Sequence, residues 1–318
     1  MSRTVLVVGE ALVDVVHRAD GRVDESPGGS PANVALALGR LGDAALFLTQ
    51  LGDDPRGDRI REWLREAGVR VVSSTAAHTA TATAHLDESG SARYEFDISW
   101  SGDGITAAHH DDIGIVHTGS IAASMAPGAA AVRALLREMR ATSLVTYDPN
   151  VRPALLPDHP QTVHDVEGFV ALADLVKASD EDLAWLYPGV DPLEVARSWL
   201  QRGPSAVVVT TGASGAFGVT RDGVTQVRGR SVDVVDTVGA GDTFMSALIH
   251  GLIDLGLDSA GSRAALQSIG DDSLTDLLRF SARAAAVTVS RPGADPPLLR
   301  ELAGPDQAAA RTRDAVGA

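Results

Sequence analysis

The chain has no cysteine, which excludes disulfides, thiolate metal sites and cysteine nucleophiles, so any catalysis has to use oxygen or nitrogen groups. Lysine is nearly absent as well, with Lys177 standing alone. No apolar run approaches the ~18 residues that a bilayer crossing requires, and Met1-Ser2-Arg3-Thr4-Val5 opens the chain without a long apolar leader. A cytoplasmic protein with no membrane partner is the expectation. Positive charge is scarce overall. The formal net charge of -15 argues against nucleic acid, whose binding needs a basic face that releases counterions. A small-molecule partner fits better. A chain this acidic that handles an anionic ligand must make positive potential locally, from helix N-termini, backbone amides, a metal ion or a few cationic side chains.

What is present has the mix of a globular protein, 44% hydrophobic and 22% charged, which is enough to bury a sizeable core. Residues 4–8 form a short apolar run ending at Gly9, the pattern of a strand buried on both faces. Similar runs at 45–48, 115–116, 144–147, 175–177 and 206–210 alternate with helical spacing at 55–67, 127–140, 163–173 and 193–201. The alternation predicts an α/β fold, a mostly parallel sheet flanked by helices, with ligands beyond the carboxyl ends of its strands. Two segments break the rhythm. Residues 80–86 and 92–96, around Asp87-Glu88-Ser89-Gly90, read as a hairpin that would join 12–16 in a small β-sheet lid. Residues 216–220 and 224–227 read as a second hairpin, extending the main sheet with antiparallel edge strands. The expected organisation is one domain over residues 1–302, with the lid inserted from about 10–18 and 79–102, and a flexible tail over 303–318.

The strongest chemical signal is Asp236-Thr237-Val238-Gly239-Ala240-Gly241-Asp242-Thr243-Phe244. Phe244, Ala247, Leu248, Gly251, Leu252 and Leu255 follow at helical spacing, and Val232, Val234 and Val235 predict a strand before it. With no bulky side chains at Gly239, Ala240 and Gly241, successive amides can face an anion, aided by the helix dipole. No Gly-Lys-Ser/Thr follows, so this is not a Walker P-loop. Asp242 stands where it can take a hydroxyl proton, although a helix-capping Asp would leave the same letters.

The second signal is Gly28-Gly29-Ser30-Pro31-Ala32-Asn33. Ser30 suits an N-cap and Pro31 the first helical turn, while Asn33 offers a donor and an acceptor to a diol. Asp14, among apolar neighbours, sits either on a solvated strand face or where it accepts hydroxyl groups. Asp148-Pro149-Asn150-Val151-Arg152-Pro153 follows a strand and so falls among the ligand-bearing loops. Arg152 there would neutralise phosphate charge. Lys177 is either an accident of an arginine-preferring composition or a functional exception.

Together the two glycine motifs, in this order and about 200 residues apart, resemble the signatures of the ribokinase family, also called PfkB-type carbohydrate kinases. The resemblance runs from Val5 to about Pro297 and includes Val289-Ser290-Arg291-Pro292-Gly293-Ala294. It implies a Rossmann-like sheet with a β lid, ATP and Mg²⁺ as ligands, and transfer of the γ-phosphate to a sugar hydroxyl. On that basis Asp242 is the catalytic base, and Gly239, Ala240 and Gly241 form the anion hole. Asp14, Gly28, Gly29 and Asn33 contact the sugar, joined by Asn150 and Arg152 from their loop. Ser179-Asp180-Glu181-Asp182 lies where relatives carry Asn-x-x-Glu, so Asp182, a shorter carboxylate, takes the place of a residue that organises Mg²⁺ through water. Thr210, Gly212 and Gly215 fall where relatives hold the nucleotide, and Lys177 is grouped with them. Asp236 and the Val238 backbone fall near a monovalent-cation site of some members, which makes K⁺ a further ligand to test.

Gly-Gly-Ser-Pro-Ala-Asn with Asp-Pro-Asn-x-Arg is most similar to bacterial fructokinases. A 2-keto-3-deoxygluconate kinase shares Asp-x-Asn-x-Arg but must also bind a carboxylate, and residues 97–104 of the expected lid carry no Arg or Lys. Ribokinase is the other acceptor alternative. A sugar-sensing binding protein without turnover would have no need of Asp242. A dinucleotide oxidoreductase would need Gly-x-Gly-x-x-Gly where this chain reads Gly9-Glu10-Ala11-Leu12-Val13-Asp14. Because a two-stranded hairpin is marginal alone, a homodimer that pairs its lid sheets is expected.

Overall fold

The computed structural model describes residues 3–87, 92–106, 112–156 and 158–302. The expected tail, 303–318, and positions 88–90 of the expected lid turn lie outside them. β1 (Thr4–Val8) leads into lid strands β2 (Leu12–His17) and β3 (Val23–Gly28), then α1 (Ser30–Leu41), β4 (Ala45–Gly52), α2 (Pro55–Glu66) and β5 (Arg70–Ala76). Lid strands β6 (Ala80–Leu86) and β7 (Ala92–Asp97) precede β8 (Ile113–Gly119), α3 (Ser120–Ser124), α4 (Gly128–Met139) and β9 (Leu144–Asp148). Next come α5 (His159–Val170), β10 (Leu175–Ser179), α6 (Asp180–Leu186), α7 (Pro192–Leu200) and β11 (Ala206–Thr210). The edge strands β12 (Gly215–Val219) and β13 (Val224–Arg228) are followed by α8 (Ala240–Asp254), α9 (Arg263–Gln267), α10 (Asp271–Val289) and α11 (Leu299–Leu302). Three helices start by one chemistry: Asp54, Asp158 and Asp191 each accept a first-turn amide ahead of α2, α5 and α7, and each has a proline in its first turn.

The main sheet has nine strands in the order β13-β12-β11-β10-β9-β8-β1-β4-β5. It is parallel except for β12 and β13, the antiparallel edge extension expected from the sequence. Alternate side chains feed two cores. Val5, Val7, Ile115, Leu144, Leu175 and Val208 pack with apolar residues of α1, α8 and α10. Leu6, Val8, Val116, Val145, Val176 and Val207 pack with those of α4, α5 and α7. The chain leaves β1 for β4 on one side and returns to β8 on the other, so the topological switch point, where ligands bind in open α/β sheets, lies between β1 and β8. Among the described residues no helix is long and apolar enough to cross a membrane.

The lid is a separate four-stranded sheet ordered β3-β2-β6-β7, with β2 and β6 parallel and the outer pairs antiparallel. One face puts Val13 and Val15 into the core shared with α1. By register the other face carries Asp14, Val16, Ala82, Ala84, Tyr94 and Phe96. The strand pattern did not reveal β3, Val-Asp-Glu-Ser-Pro-Gly. It forms because β2 supplies a partner along one side, and an edge position tolerates Pro27.

Two local expectations are corrected. The strand expected at Val232–Val235 is irregular chain, with Val232, Val234 and Val235 exposed to 38%, 64% and 60%. Its apolar letters have no sheet edge to join, and only the Val235 and Asp236 amides are fastened, both to the Val289 carbonyl at the end of α10. Ser30 is not the N-cap of α1: Gly29, at φ 101°, holds that position and Ser30 lies one residue inside.

Candidate active site

The N-terminus of α8 is shaped by glycine. Gly239 caps it in the left-handed region at φ 73°, and a Cβ there would stand 2.7 Å from Ala294 Cβ. The helix then begins Ala240-Gly241-Asp242, whose first-turn amides have no partners inside the helix; that of Ala240 donates to the Thr237 carbonyl at 3.3 Å. Asp242, 5% exposed, is not a helix cap. It turns toward α1 and the loop after β9. Its Oδ1 accepts from Ser30 Oγ at 2.7 Å and Asn150 Nδ2 at 3.3 Å, and its Oδ2 accepts from Asn33 Nδ2 at 2.8 Å. Asn33 keeps its Oδ1 buried and unpartnered, an acceptor left for a hydroxyl donor. Asn150 holds a left-handed φ of 36°, unusual for a non-glycine residue, and donates to Ser30 Oγ at 2.7 Å, while Arg152 Nη1 donates to its Oδ1 at 2.6 Å. Residues far apart in sequence thus make one hydrogen-bonded pocket.

The paired glycines serve this pocket for different reasons. A Cβ on Gly28 would meet Asp14 Oδ2 at 2.3 Å, and one on Gly29 would meet the Glu10 carbonyl at 2.8 Å. Burial pushes the Asp14 carboxyl up to about 6, against the pull of Arg152. Glu10, which the motif reading passed over, is 3% exposed and accepts from the Ala122 amide at 2.9 Å. Burial raises it to about 7, with backbone hydrogen bonds and Arg152 opposing. It bridges the ends of β1 and β8 across the switch point, and its place directly after a buried strand was the signal that marked it.

The remaining candidates sit around this centre. Asp182 is half of a capping box on α6: its Oδ2 accepts from the Ser179 amide at 3.2 Å, and Ser179 Oγ accepts from the Asp182 amide at 3.0 Å. Its Oδ1 accepts from the Val151 amide at 2.8 Å, which fixes the loop bearing Asn150 and Arg152. Asp236 binds the Val238 amide at 3.0 Å and the Gly293 amide at 2.9 Å, joining the loops on either side of Gly239. Thr210 ends β11, and Gly212 (φ 52°) and Gly215 (φ 114°) follow; a Cβ on Gly215 would meet the Val227 carbonyl at 2.2 Å. Lys177 is 3% exposed inside the sheet and donates to Asp148 Oδ2 at 2.7 Å. Among the described residues no cluster of three or more His, Asp or Glu is placed to hold a metal ion alone.

A buried carboxylate in the first turn of a helix, facing the polar side chains of Ser30, Asn33 and Asn150, suits phosphoryl transfer to an alcohol, the chemistry of the carbohydrate kinases. The comparisons with known proteins agree. The model for "pfkB family carbohydrate kinase" matches residues 2–301, and the chain belongs to that family. It is 35% identical over 280 residues to a fructokinase of Rhizobium leguminosarum bv. trifolii, covering 85% of each chain. Its fold resembles fructokinase from Xylella fastidiosa with bound ATP, with a TM-score of 0.85, 30% identity and coverage of 95% and 98% of the two chains. It also resembles a double-mutant fructokinase from Vibrio cholerae O395 with fructose, ADP and potassium ion, with a TM-score of 0.76, 26% identity and coverage of 92% and 95%. The protein is an ATP-dependent carbohydrate kinase.

Proposed function

We propose that the chain is a fructokinase, moving the γ-phosphate of ATP to the 6-hydroxyl of fructose. Asp242 takes the hydroxyl proton, the sugar oxygen bonds to the γ-phosphorus, and ADP leaves with the electrons of the broken P–O bond. The Gly239, Ala240 and Gly241 amides hold the charge that develops on the phosphoryl oxygens. Asp14, Asn33 and Asn150, with the Gly28-Gly29 backbone, hold the sugar, and Thr210, Gly212 and Gly215 line the nucleotide side. Asp182 would stand nearest a Mg²⁺ brought in on the ATP phosphates, where the ion would offset phosphate charge, and the loops joined by Asp236 would hold K⁺ if the enzyme uses it. The carrying observation is the Asp242 carboxylate, which three polar side chains of α1 and the β9 loop aim away from solvent.

A neutral acceptor is favoured by charge. Residues 97–104, at the end of the expected lid, carry no Arg or Lys to pair with a substrate carboxylate. Fructokinases among the similar proteins support the same choice. ADP release measured against fructose, ribose and 2-keto-3-deoxygluconate, with Mg²⁺ and with or without K⁺, tests the assignment: fructose should give the highest kcat/KM. Asp242→Asn should lose about 10³-fold or more in kcat while KM changes little. Near-normal turnover in that variant would remove Asp242 from the role of base.

A further inference from the structure

The α8-facing side of the main sheet carries a buried polar stripe toward its carboxyl end. There His117 (β8), Thr146 and Asp148 (β9) and Lys177 (β10) form a stripe across three adjacent strands, each at most 3% exposed. His117 Nδ1 and Thr146 Oγ1 are 3.1 Å apart, and Lys177 Nζ donates to Asp148 Oδ2. The other Asp148 oxygen is buried without a partner. The stripe ends under the catalytic turn: a Cβ on Gly241 would stand 3.0 Å from Lys177 Nζ.

Stability does not account for the pair. Two charges taken from water cost several kcal/mol of desolvation, and well-packed apolar residues of similar volume often do as well or better. A local task accounts for it more simply. Asp148, Asp182 and Asp242 all act electrostatically on the Lys177 ammonium, and together they hold it firmly protonated against burial. His117, its other titratable neighbour, is kept neutral by burial, its pKa lowered to about 3. This acidic centre must accept still more negative charge from a nucleotide, and the chain offers no other lysine.

We infer that Lys177 and Asp148 are positioning residues for phosphoryl transfer: from inside the sheet, the pair holds the Gly239–Asp242 turn in place and puts a fixed positive charge behind the anion hole, without touching ATP or sugar. This rests on the reading of Asp242 as base and of the turn as anion hole. It replaces a direct nucleotide contact by Lys177 with an action through the backbone of Gly241.

The test is steady-state kinetics on Lys177→Met, Asp148→Asn and the double variant. Lys177→Met alone leaves an unpaired buried carboxylate and can fail to fold, so the charge-neutral double variant is decisive, once urea unfolding shows a cooperative transition like the parent's. The inference expects kcat to fall about 100-fold in the folded double variant, with KM for ATP and fructose within about threefold of the parent. Lys177→Arg should not restore the rate, because a planar fork does not replace a compact ammonium. A parental kcat in the double variant would reduce the pair to packing. A raised KM for ATP at unchanged kcat would make Lys177 a nucleotide ligand. Either result overturns the inference. Asp242→Asn, run alongside, separates the two readings: if it keeps turnover, the base assignment falls; if it is inactive while the double variant is parental, only this inference falls.

Discussion

Glu10 shows how one buried carboxyl couples the site to pH. Its folded pKa is about 7 against an ordinary 4.5, so the fold binds its proton more tightly than the unfolded chain does. The stabilisation from that proton is therefore complete below about 4.5 and is lost as pH rises toward 7. Asp14 and Asp148, each raised to about 6, act in the same direction over a lower window. Glu10→Gln keeps an oxygen for the Ala122 amide and removes the titration. It should flatten the fall in stability between pH 5 and 8, and be more stable than the parent at pH 8 by on the order of 2 kcal/mol. Urea unfolding across that range checks this; a variant less stable than the parent at pH 8 would contradict it. At this scale the residue types were legible in the sequence and their partners were not. Asn33 was marked by the paired glycines before it and Asp14 by its apolar neighbours, but that Gly28 is required by the Asp14 carboxylate is a contact between strands.

At the scale of elements, the site is the meeting of two helix N-termini. Ser30 illustrates the difference between a letter and its use. In sequence it reads as an N-cap, but the chain caps α1 with Gly29 and spends the Ser30 hydroxyl on Asp242 and Asn150. Ser30→Ala should therefore lower kcat by about 10- to 100-fold with little change in KM for ATP, measured by steady-state kinetics. A loss of stability with kcat intact would return Ser30 to an ordinary structural role. The lid is fastened to the body in the same economical way. Glu25 of β3 pairs with Arg56 and Arg59 of α2, Asp54 takes the Thr79 amide and hydroxyl, and Gln50 binds the Ser101 amide and hydroxyl. These contacts fix where the lid meets the sheet, and none of them follows from strand periodicity.

At the scale of the whole molecule, the lid presents a surface for contact with a second copy. Toward its outer strand, the lid face that carries Asp14 also exposes Tyr94 at 61% and Phe96 at 37%, their rings stacked 6.1 Å apart. Aromatic residues exposed on a small sheet mark a surface made for contact, and a second copy pairing lid to lid is the occupant we propose. Sedimentation at micromolar concentration should give a dimer, and Tyr94→Asp with Phe96→Asp should shift it to monomer. A monomeric parent would rule the pairing out.

The amino-acid order alone determined the alternation of strands and helices, the edge hairpin, the lid segments beginning at 12 and 80, and the glycine motifs that identify the family. Each of these is carried by neighbours in the chain: burial periodicity, turn residues and backbone freedom act over a few positions. Only the tertiary structure decided that β3 would form, that Val232–Val235 would not, that Glu10 would be buried, and that Lys177 would face Asp148 under Gly241. Those outcomes depend on which surfaces the sheet brings together, and hydrogen bonding or desolvation at such a surface is set by residues distant in the chain, as Glu10 and Ala122 are, 112 positions apart.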